Sequence, residues 1–219
     1  MMAFMVWFSI MSVFISMVFA NENLEIIKKQ TLEYHDHETY ELWYDVENHN
    51  PAFVIWDLTF EDAVLSEAVN NRASSKFTVC KSSVKEIVYS RSGYDKGHMC
   101  PSNDRDWSKE SSCNTFRMCN VCPQKPVLNR GSWKKYEKHG HELAKKYQKV
   151  TIAAGPIYEN NENVFLIKGG VRIPDAFFKV FYADGKFLEA YIFYQDGSTV
   201  TKSVSDIEKV AKLQFVAKK

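Results

Sequence analysis

The stretch "YDKGHMCPSNDRDW", residues 94–107, places a histidine after an acid, a base and a glycine, and just before a polar turn that contains a proline. A lone histidine in a loop is usually structural, so the meaning of His98 depends on its neighbours. Asp95 or Lys96 can orient an imidazole or bind an anion, and Gly97 lets the backbone turn closely. His98 is therefore a candidate catalytic residue that the rest of the chain must support.

The first twenty of the 219 residues contain no charged side chain. Small residues at the end of this apolar run predict a secretory signal peptide over residues 1–20, with a secreted or periplasmic mature protein and no stable membrane association. An uncleaved anchor is the alternative, because the run is long enough to span a bilayer. Residues 21–219 are expected to form a single domain.

The positive charge is concentrated in two segments, although the formal net charge is only +1. Residues 72–96 carry six Lys or Arg against two acids, and residues 125–149 carry eight against two. A nearly neutral chain with this distribution can present a basic face to nucleic acid. Solvated helix charge is the alternative interpretation.

Five cysteines leave at least one thiol unpaired within the chain. The "CNVC" at 119–122 is a lone CxxC motif. A redox motif needs a helix N-terminus to lower the thiol pKa, and a zinc site needs two further ligands at a matching spacing. Neither context is evident around this motif, and a thiol–disulfide protein built on it is kept only as an alternative.

Strand patterns dominate the chain. Residues 39–60 and 176–197 each predict a hairpin, the second with Asp184-Gly185 as its tight turn. Residues 77–90 alternate loosely and predict another strand, and residues 149–159 predict a buried strand that stops at Gly155-Pro156. With few helices between them, these strands indicate an α+β domain whose sheet is mostly antiparallel.

Two helices are predicted. One begins near Arg130, has apolar residues at helical spacing and can bend or split at Gly140. Asn129 and Glu137 lie roughly 80° apart in helical projection, so both can face one ion. The other helix follows a capping box that begins at Ser205.

Three segments, "SRSGYDKGHMCPSNDRDWS", "FRMCNVCPQKPVLNRGSWKKYE" and "TIAAGPIYE", resemble the DNA/RNA non-specific endonuclease family. The resemblance runs from about Tyr40 to Tyr182 and depends on three motifs in order: Asp-Arg-Gly-His, an Asn followed by Pro-Gln, and Leu-Asn ahead of a helix with a Glu. It implies a ββα-metal finger active site, formed by a strand pair and one helix, within a larger α+β domain.

The resemblance also implies a role for each matched residue. His98 corresponds to the general base that takes a proton from the attacking water. Asn129 corresponds to the one protein ligand of a hydrated Mg²⁺, which Mn²⁺ could replace. Glu137 corresponds to the residue that positions metal-bound waters, and Asn120 to the asparagine that helps hold the site. Arg72 corresponds to an arginine that clamps the scissile phosphate.

Lys96 stands where the family has arginine, which keeps the charge but loses the bidentate fork, so the phosphate contact that the resemblance implies there should weaken rather than vanish. The resemblance further implies that Cys100 is close enough to Cys119 or Cys122 to form a disulfide. Together these features predict a Mg²⁺-dependent endonuclease that contacts DNA and RNA mainly through phosphates. The lysines of 134–146 and Trp107 are candidate strand contacts, and packing is an equal alternative for Trp107. The alternative is a catalytically impaired nucleic-acid-binding protein with the nuclease fold.

Overall fold

The computed structural model describes residues 17–20, 24–28, 32–68, 76–159 and 164–217. The strands are β1 (Met17–Ala20), β2 (Leu24–Lys28), β3 (Glu33–Asp36), β4 (Glu41–Asp45), β5 (Asn50–Thr59), β6 (Asp95–His98), β7 (Val121–Gln124), β8 (Lys149–Ile157), β9 (Ala176–Ala183), β10 (Lys186–Tyr194), β11 (Thr199–Thr201) and β12 (Gln214–Ala217). The α-helices are α1 (Phe60–Ala68), α2 (Lys109–Thr115), α3 (Lys134–Tyr147) and α4 (Val204–Ala211). The predicted α+β class is confirmed.

The strands form three antiparallel sheets. A seven-stranded sheet has the order β11-β10-β9-β8-β5-β4-β3, a three-stranded sheet has the order β1-β2-β12, and β6 pairs with β7 alone. Adjacent strands pair antiparallel throughout these sheets, as the sequence predicts. The isolated β6–β7 pair is the part of the fold that presents His98.

The central sheet is buried on both faces. In β5, Val54, Trp56 and Leu58 belong to one core, while Phe53 and Ile55 belong to the other. The first core also contains residues of α3 and of the β6–β7 pair, and the second contains residues of α4 and β12. Because successive side chains of a strand point to opposite faces, one apolar strand supplies both layers. The sheet thus gives the site a rigid base on its first face.

Both predicted hairpins are confirmed, as β4–β5 and β9–β10. Asp184 and Gly185 have φ values of 51° and 72°, the left-handed geometry that a two-residue turn with Asp-Gly favours. The expected stop at Gly155-Pro156 is wrong, since β8 continues to Ile157. Beyond Ala154, β8 pairs only with β9, so its other edge can hold a proline without losing a ladder bond.

The strand predicted over residues 77–90 does not form. Apart from a single bridge between Thr78 and Arg117, this segment contains turns and the one-turn 3₁₀ helix Glu86–Tyr89. The Ser83 hydroxyl accepts from the Cys80 backbone N–H at 2.9 Å, so a side chain takes a bond that a strand would have used. The apolar alternation packs a small local core instead.

Both helices are present, with local differences. α3 runs through Gly140 without a break. A Cβ there would approach Ile152 Cδ1 to 3.2 Å, so the glycine allows close packing and does not mark a bend. The bend or split that the sequence allows there does not form. α4 begins after Ser203, whose hydroxyl accepts from the Asp206 N–H at 3.1 Å. The N-cap thus lies two residues before the predicted Ser205.

The predicted signal peptide falls mostly outside the described residues. Its last four residues form β1, which pairs with β2. In the part of the chain that the structure describes, no helix is both long and apolar enough to cross a membrane.

Candidate active site

His98 ends β6, the first arm of the paired strands. It lies opposite Val121 of β7, and Gly97 lies opposite Cys122. The buried Gln124 side chain covers Gly97. A Cβ at Gly97 would come within 2.1 Å of Gln124 Oε1, so this position requires glycine. The expected close turn at Gly97 is replaced by close packing within an extended strand.

The chain enters α3 through a wide turn. Residues Leu128–Trp133 form a π-helical turn in which Gly131 has non-helical angles of φ −103° and ψ −109°. Trp133 Nε1 donates to the His98 backbone carbonyl at 3.0 Å and thereby ties this turn to the end of β6. Two strands and one helix therefore meet at His98, as the expected ββα arrangement requires.

A cleft of about 590 Å³ opens where these elements meet. It is lined by His98, Pro101, Ser102, Asn103, Asp106, Ser112, Phe116, Asn129, Arg130, Lys134, Glu137 and Lys138. Of the predicted site residues, three line this cleft together: His98, Asn129 and Glu137. Asn129 and Glu137 reach it across the π-helical turn rather than along one straight helix, so their shared orientation has a different origin from the one predicted.

The His98 ring is held between two aromatic rings. Its centroid lies 5.3 Å from that of Phe77 and 4.9 Å from that of Phe116, the latter edge to face. Nε2 is buried and has no hydrogen-bond partner among the described residues. Burial, and secondarily the Lys96 charge, lowers the pKa of His98 from 6.5 to about 4. The imidazole is thus neutral at physiological pH, and the His98 side chain lines the cleft.

The Asn129 amide is oriented by an acid from β6. Asn129 Nδ2 donates to Asp95 Oδ2 at 3.0 Å. The Arg130 guanidinium donates two hydrogen bonds, of 2.8 and 2.9 Å, to the same carboxylate. The arginine and asparagine bonds hold the pKa of Asp95 below its usual value, against the opposing effect of burial. Because the amide nitrogen faces Asp95, the Asn129 oxygen remains for the cleft.

Asn120 supports the site from below and is fully buried. Its Oδ1 accepts from the Cys100 N–H at 3.0 Å, and its Nδ2 donates to the carbonyls of Cys100 and Thr115 at 2.9 and 3.0 Å. These bonds fix the chain immediately after His98. Asn120 does not line the cleft, so its geometry is that of a positioning residue.

Two residues that were predicted to contact nucleic acid, Lys96 and Trp107, lie elsewhere. The Lys96 ammonium pairs with Glu86 and lies 4.3 Å from the Phe77 ring centroid, outside the residues that line the cleft. Trp107 lines a different cavity, where it stacks near Arg105. Arg72 falls in the segment 69–75, outside the described residues.

Glu137 is half-buried in the first turn of α3. Burial raises the pKa of its carboxyl to about 7, Lys179 opposes this shift, and Asp104 adds to it. Asp104 in turn accepts from Trp56 Nε1 at 2.8 Å and lies 2.9 Å from His141 Nε2. A buried polar network thus holds the floor of the cleft in one arrangement.

The cleft suits a hard divalent cation. It offers the Asn129 amide oxygen and the Glu137 carboxylate, and oxygen donors are those that Mg²⁺ and Mn²⁺ prefer. A nearby cation also favours the charged form of Glu137, whose pKa is otherwise raised by burial. Residues Asn129 and Glu137 therefore fit the metal that the sequence predicts.

The site also contains residues that the sequence did not single out. Arg130 follows Asn129 directly, and that adjacency was the only signal for its role. Phe77 and Phe116 are brought to His98 by non-local packing, which no local pattern reveals.

The predicted disulfide is present with a different partner. Cys80 bonds to Cys119, whereas Cys100 and Cys122 are free and buried. The pairings of Cys100 with Cys119 or Cys122 are therefore wrong. Cys122 belongs to the core and pairs with Gly97 across the two strands. The turns of residues 77–90 bring Cys80 to Cys119 instead.

An antiparallel α+β domain with a strand pair and a helix around a His–Asn–Glu cleft defines the ββα class of nuclease fold. A sequence model of the DNA/RNA non-specific endonucleases matches residues 21–219. The chain belongs to the DNA/RNA non-specific endonuclease family, which confirms the predicted family.

Individual relatives agree with this membership. The chain is 28% identical over 148 residues to "Endonuclease G, mitochondrial" of Homo sapiens, an alignment that covers 58% of this chain and 50% of the relative. It is 32% identical over 158 residues to "Nuclease 1, mitochondrial" of Schizosaccharomyces pombe, with 64% and 48% covered. The chain therefore spans about half the length of these relatives.

A solved structure shows the same fold. The crystal structure of the EndoG/EndoGI complex aligns with a TM-score of 0.74 at 25% identity, covering 84% of this chain and 86% of that one.

The predicted secreted or periplasmic location is contradicted by the relatives, which are named mitochondrial nucleases. That prediction was based on the apolar run of residues 1–20 and on the small residues at its end.

Proposed function

We propose that this chain is a divalent-metal-dependent endonuclease that hydrolyses phosphodiester bonds in DNA and RNA. The observation that carries the proposal is the unpartnered, buried Nε2 of a neutral His98 in a cleft that also holds Asn129 and Glu137. Family membership supports the reaction class.

His98 acts as the general base. A neutral imidazole accepts the proton of the attacking water at Nε2, and the two flanking aromatic rings keep the ring plane fixed while it does so. Trp133 holds the backbone of the same residue through its carbonyl. The proton acceptor is thus positioned before substrate binds.

The cation would be held by Asn129, with Glu137 orienting its waters. When bound, Mg²⁺ or Mn²⁺ supplies Lewis-acid stabilisation of charge on the phosphate and on the leaving oxygen. Asp95 contributes indirectly, because its hydrogen bond determines which end of the Asn129 amide faces the cleft.

Substrate binding depends on cationic side chains at the cleft wall. Arg130, Lys134 and Lys138 line the cleft, and all three are exposed. Phosphate contacts carry no sequence information, so binding of this kind is indifferent to base identity and weakens steeply with salt. The Lys96 ammonium is paired with Glu86 and lies outside this wall, so the proposed cationic wall consists of Arg130, Lys134 and Lys138.

The test uses the full chain on supercoiled plasmid and on total RNA. With Mg²⁺ or Mn²⁺ we expect both to be cut, with 5′-phosphate ends, and with excess EDTA we expect both to stay intact. Binding to both substrates without cleavage under each metal would leave only the nucleic-acid-binding alternative.

The pH dependence of cleavage should reflect the lowered pKa of His98. A base must be deprotonated to act, and a pKa near 4 keeps His98 neutral at pH values where an ordinary histidine is protonated. We therefore expect kcat/KM at saturating Mg²⁺ to hold as pH falls through 6.5 and to decline only towards pH 4.

Saturating metal is needed because Glu137, with a pKa of about 7, also takes up a proton in this range. The measurement is a profile of kcat/KM from high to low pH at two Mg²⁺ concentrations. An acid limb at or above pH 6.5 that persists at both concentrations would contradict the assignment of the lowered pKa to the catalytic base.

A further inference from the structure

A second group of side chains with metal-binding chemistry lies behind the active site. It comprises His35, His37, Cys80 and Cys119, whose ligand atoms all lie within 4.8 Å of one another. His37 Nε2 is 3.5 Å from Cys119 Sγ. None of the four lines the cleft, so this group is separate from the nuclease centre.

Three elements bring the four residues together. His35 belongs to β3, and His37 follows two positions later, so both imidazoles lie on one side of the edge strand. Their rings are nearly parallel, with centroids 6.0 Å apart. Cys80 comes from the turn-rich segment after residue 76, and Cys119 from the 3₁₀ turn Met118–Asn120.

The donor set matches zinc. Two thiolates and two imidazoles are a common structural Zn²⁺ set, held tetrahedrally. Zn–S and Zn–N bonds of about 2.3 and 2.0 Å place neighbouring N and S donors roughly 3.5 Å apart. The distance between His37 Nε2 and Cys119 Sγ already has this value. In the disulfide form the sulfurs are bonded to each other, and the two imidazoles remain beside them.

We propose that reduction of the Cys80–Cys119 disulfide converts this group into a Zn²⁺ site with His35 and His37 as the other two ligands. A thiol-class reductant supplies two electrons and two protons, which break the S–S bond into two thiols while the reductant becomes a disulfide. Zn²⁺ then binds the two thiolates and the two neutral imidazoles, and two protons are released. Reoxidation by a disulfide-class oxidant reverses both steps and releases the ion.

The location gives this exchange a structural meaning. Cys80 lies three residues after Phe77, which contacts the His98 ring, and Cys119 immediately precedes Asn120. The disulfide ties these two segments to each other, and the zinc site would tie both of them to β3 as well. The chain behind the active site therefore stays joined in oxidising and in reducing surroundings.

Cobalt substitution tests the proposal directly. The full chain carrying Cys113→Ser, which removes the exposed thiol, is reduced with a phosphine and titrated with Co²⁺. We expect a thiolate-to-cobalt charge-transfer band that saturates at one ion per chain and disappears when Zn²⁺ is added. The nuclease cleft contains no cysteine among its lining residues, so a metal bound there adds no such band.

The matched variants separate ligation from folding. His35→Asn with His37→Asn should keep the disulfide when oxidised but bind Zn²⁺ more than about 100-fold more weakly when reduced. His139→Asn, a histidine of α3 outside the group, should behave as the parent. Zn²⁺ should also raise the Tm of the reduced parent by more than that of the oxidised parent, in which only the nuclease cleft can bind the ion.

Two results would overturn the proposal. One is a reduced parent that shows no thiolate band and no zinc-dependent rise in Tm. The other is a band of unchanged strength in the double histidine variant, which would mean that the imidazoles are not ligands.

Discussion

His98→Ala should abolish most cleavage, with a loss in kcat on the order of 10³-fold, the range that a general base contributes. The KM for plasmid should change little, because Arg130, Lys134 and Lys138 still face the substrate. Steady-state cleavage of a defined duplex at saturating Mg²⁺ measures both constants. The unpartnered Nε2 is the reason to expect that the loss lies in kcat.

Added imidazole separates lost chemistry from lost structure. The variant leaves a space between Phe77 and Phe116, where a free imidazole can occupy the position of the missing ring. We expect partial rescue that grows with the concentration of neutral imidazole. His139→Ala serves as the histidine control and should retain the parent rate. A His98→Ala protein with the parent Tm and near-parent activity would remove His98 from the mechanism.

Asn129→Ala should lower the affinity for the metal, because it removes the proposed direct ligand. Loss of an outer-shell partner lowers metal affinity roughly 10–100-fold, and we expect a loss at least as large here. We expect the Mg²⁺ concentration for half-maximal rate to rise and the maximal rate to fall. Binding of Mn²⁺, followed by its electron paramagnetic resonance signal, gives a readout that does not depend on turnover.

Asp95→Asn is the matched control for that variant. It keeps the Asn129 oxygen. It replaces the carboxylate that accepts hydrogen bonds from the Asn129 amide nitrogen and from the Arg130 guanidinium. We expect a smaller loss of Mn²⁺ affinity than in Asn129→Ala, since the ligand remains and only its orientation is relaxed. Equal Mn²⁺ affinity in Asn129→Ala and the parent would contradict the role of Asn129 as ligand.

Local patterns predicted the scaffold well. The two hairpins follow from alternating apolar residues and a turn that requires positive φ, which are properties of a few neighbouring residues. The helix after Arg130 likewise follows from apolar spacing. The order of the three motifs was sufficient to place the site, although α2 and two 3₁₀ turns separate β6 from β7.

Non-local packing explains most of what the sequence did not predict. Residues 77–90 alternate like a strand but find no neighbouring strand, so they fold as turns that bring Phe77 and Cys80 to their partners. The bond between Asp95 and Arg130 joins two segments distant in the chain. Nothing in either segment alone specifies these contacts.

The Lys96 position shows a different limit. Its match to the family's arginine predicted a phosphate contact, yet its ammonium is paired with Glu86 and covers Phe77. A motif fixes the residue type and the backbone position. The direction of a long side chain depends on which acid the surrounding turn supplies.

The wide turn at Leu128–Trp133 separates two geometries that a straight helix would couple. In an uninterrupted helix, the angle between Asn129 and Glu137 would be set by helical periodicity, and no substitution could change it. Here the number of residues in the turn sets that angle, so insertion or loss of one residue is the natural way to retune the spacing of the two oxygen donors. Loop length, rather than side-chain identity, is therefore the variable through which this scaffold can change the relative orientation of Asn129 and Glu137.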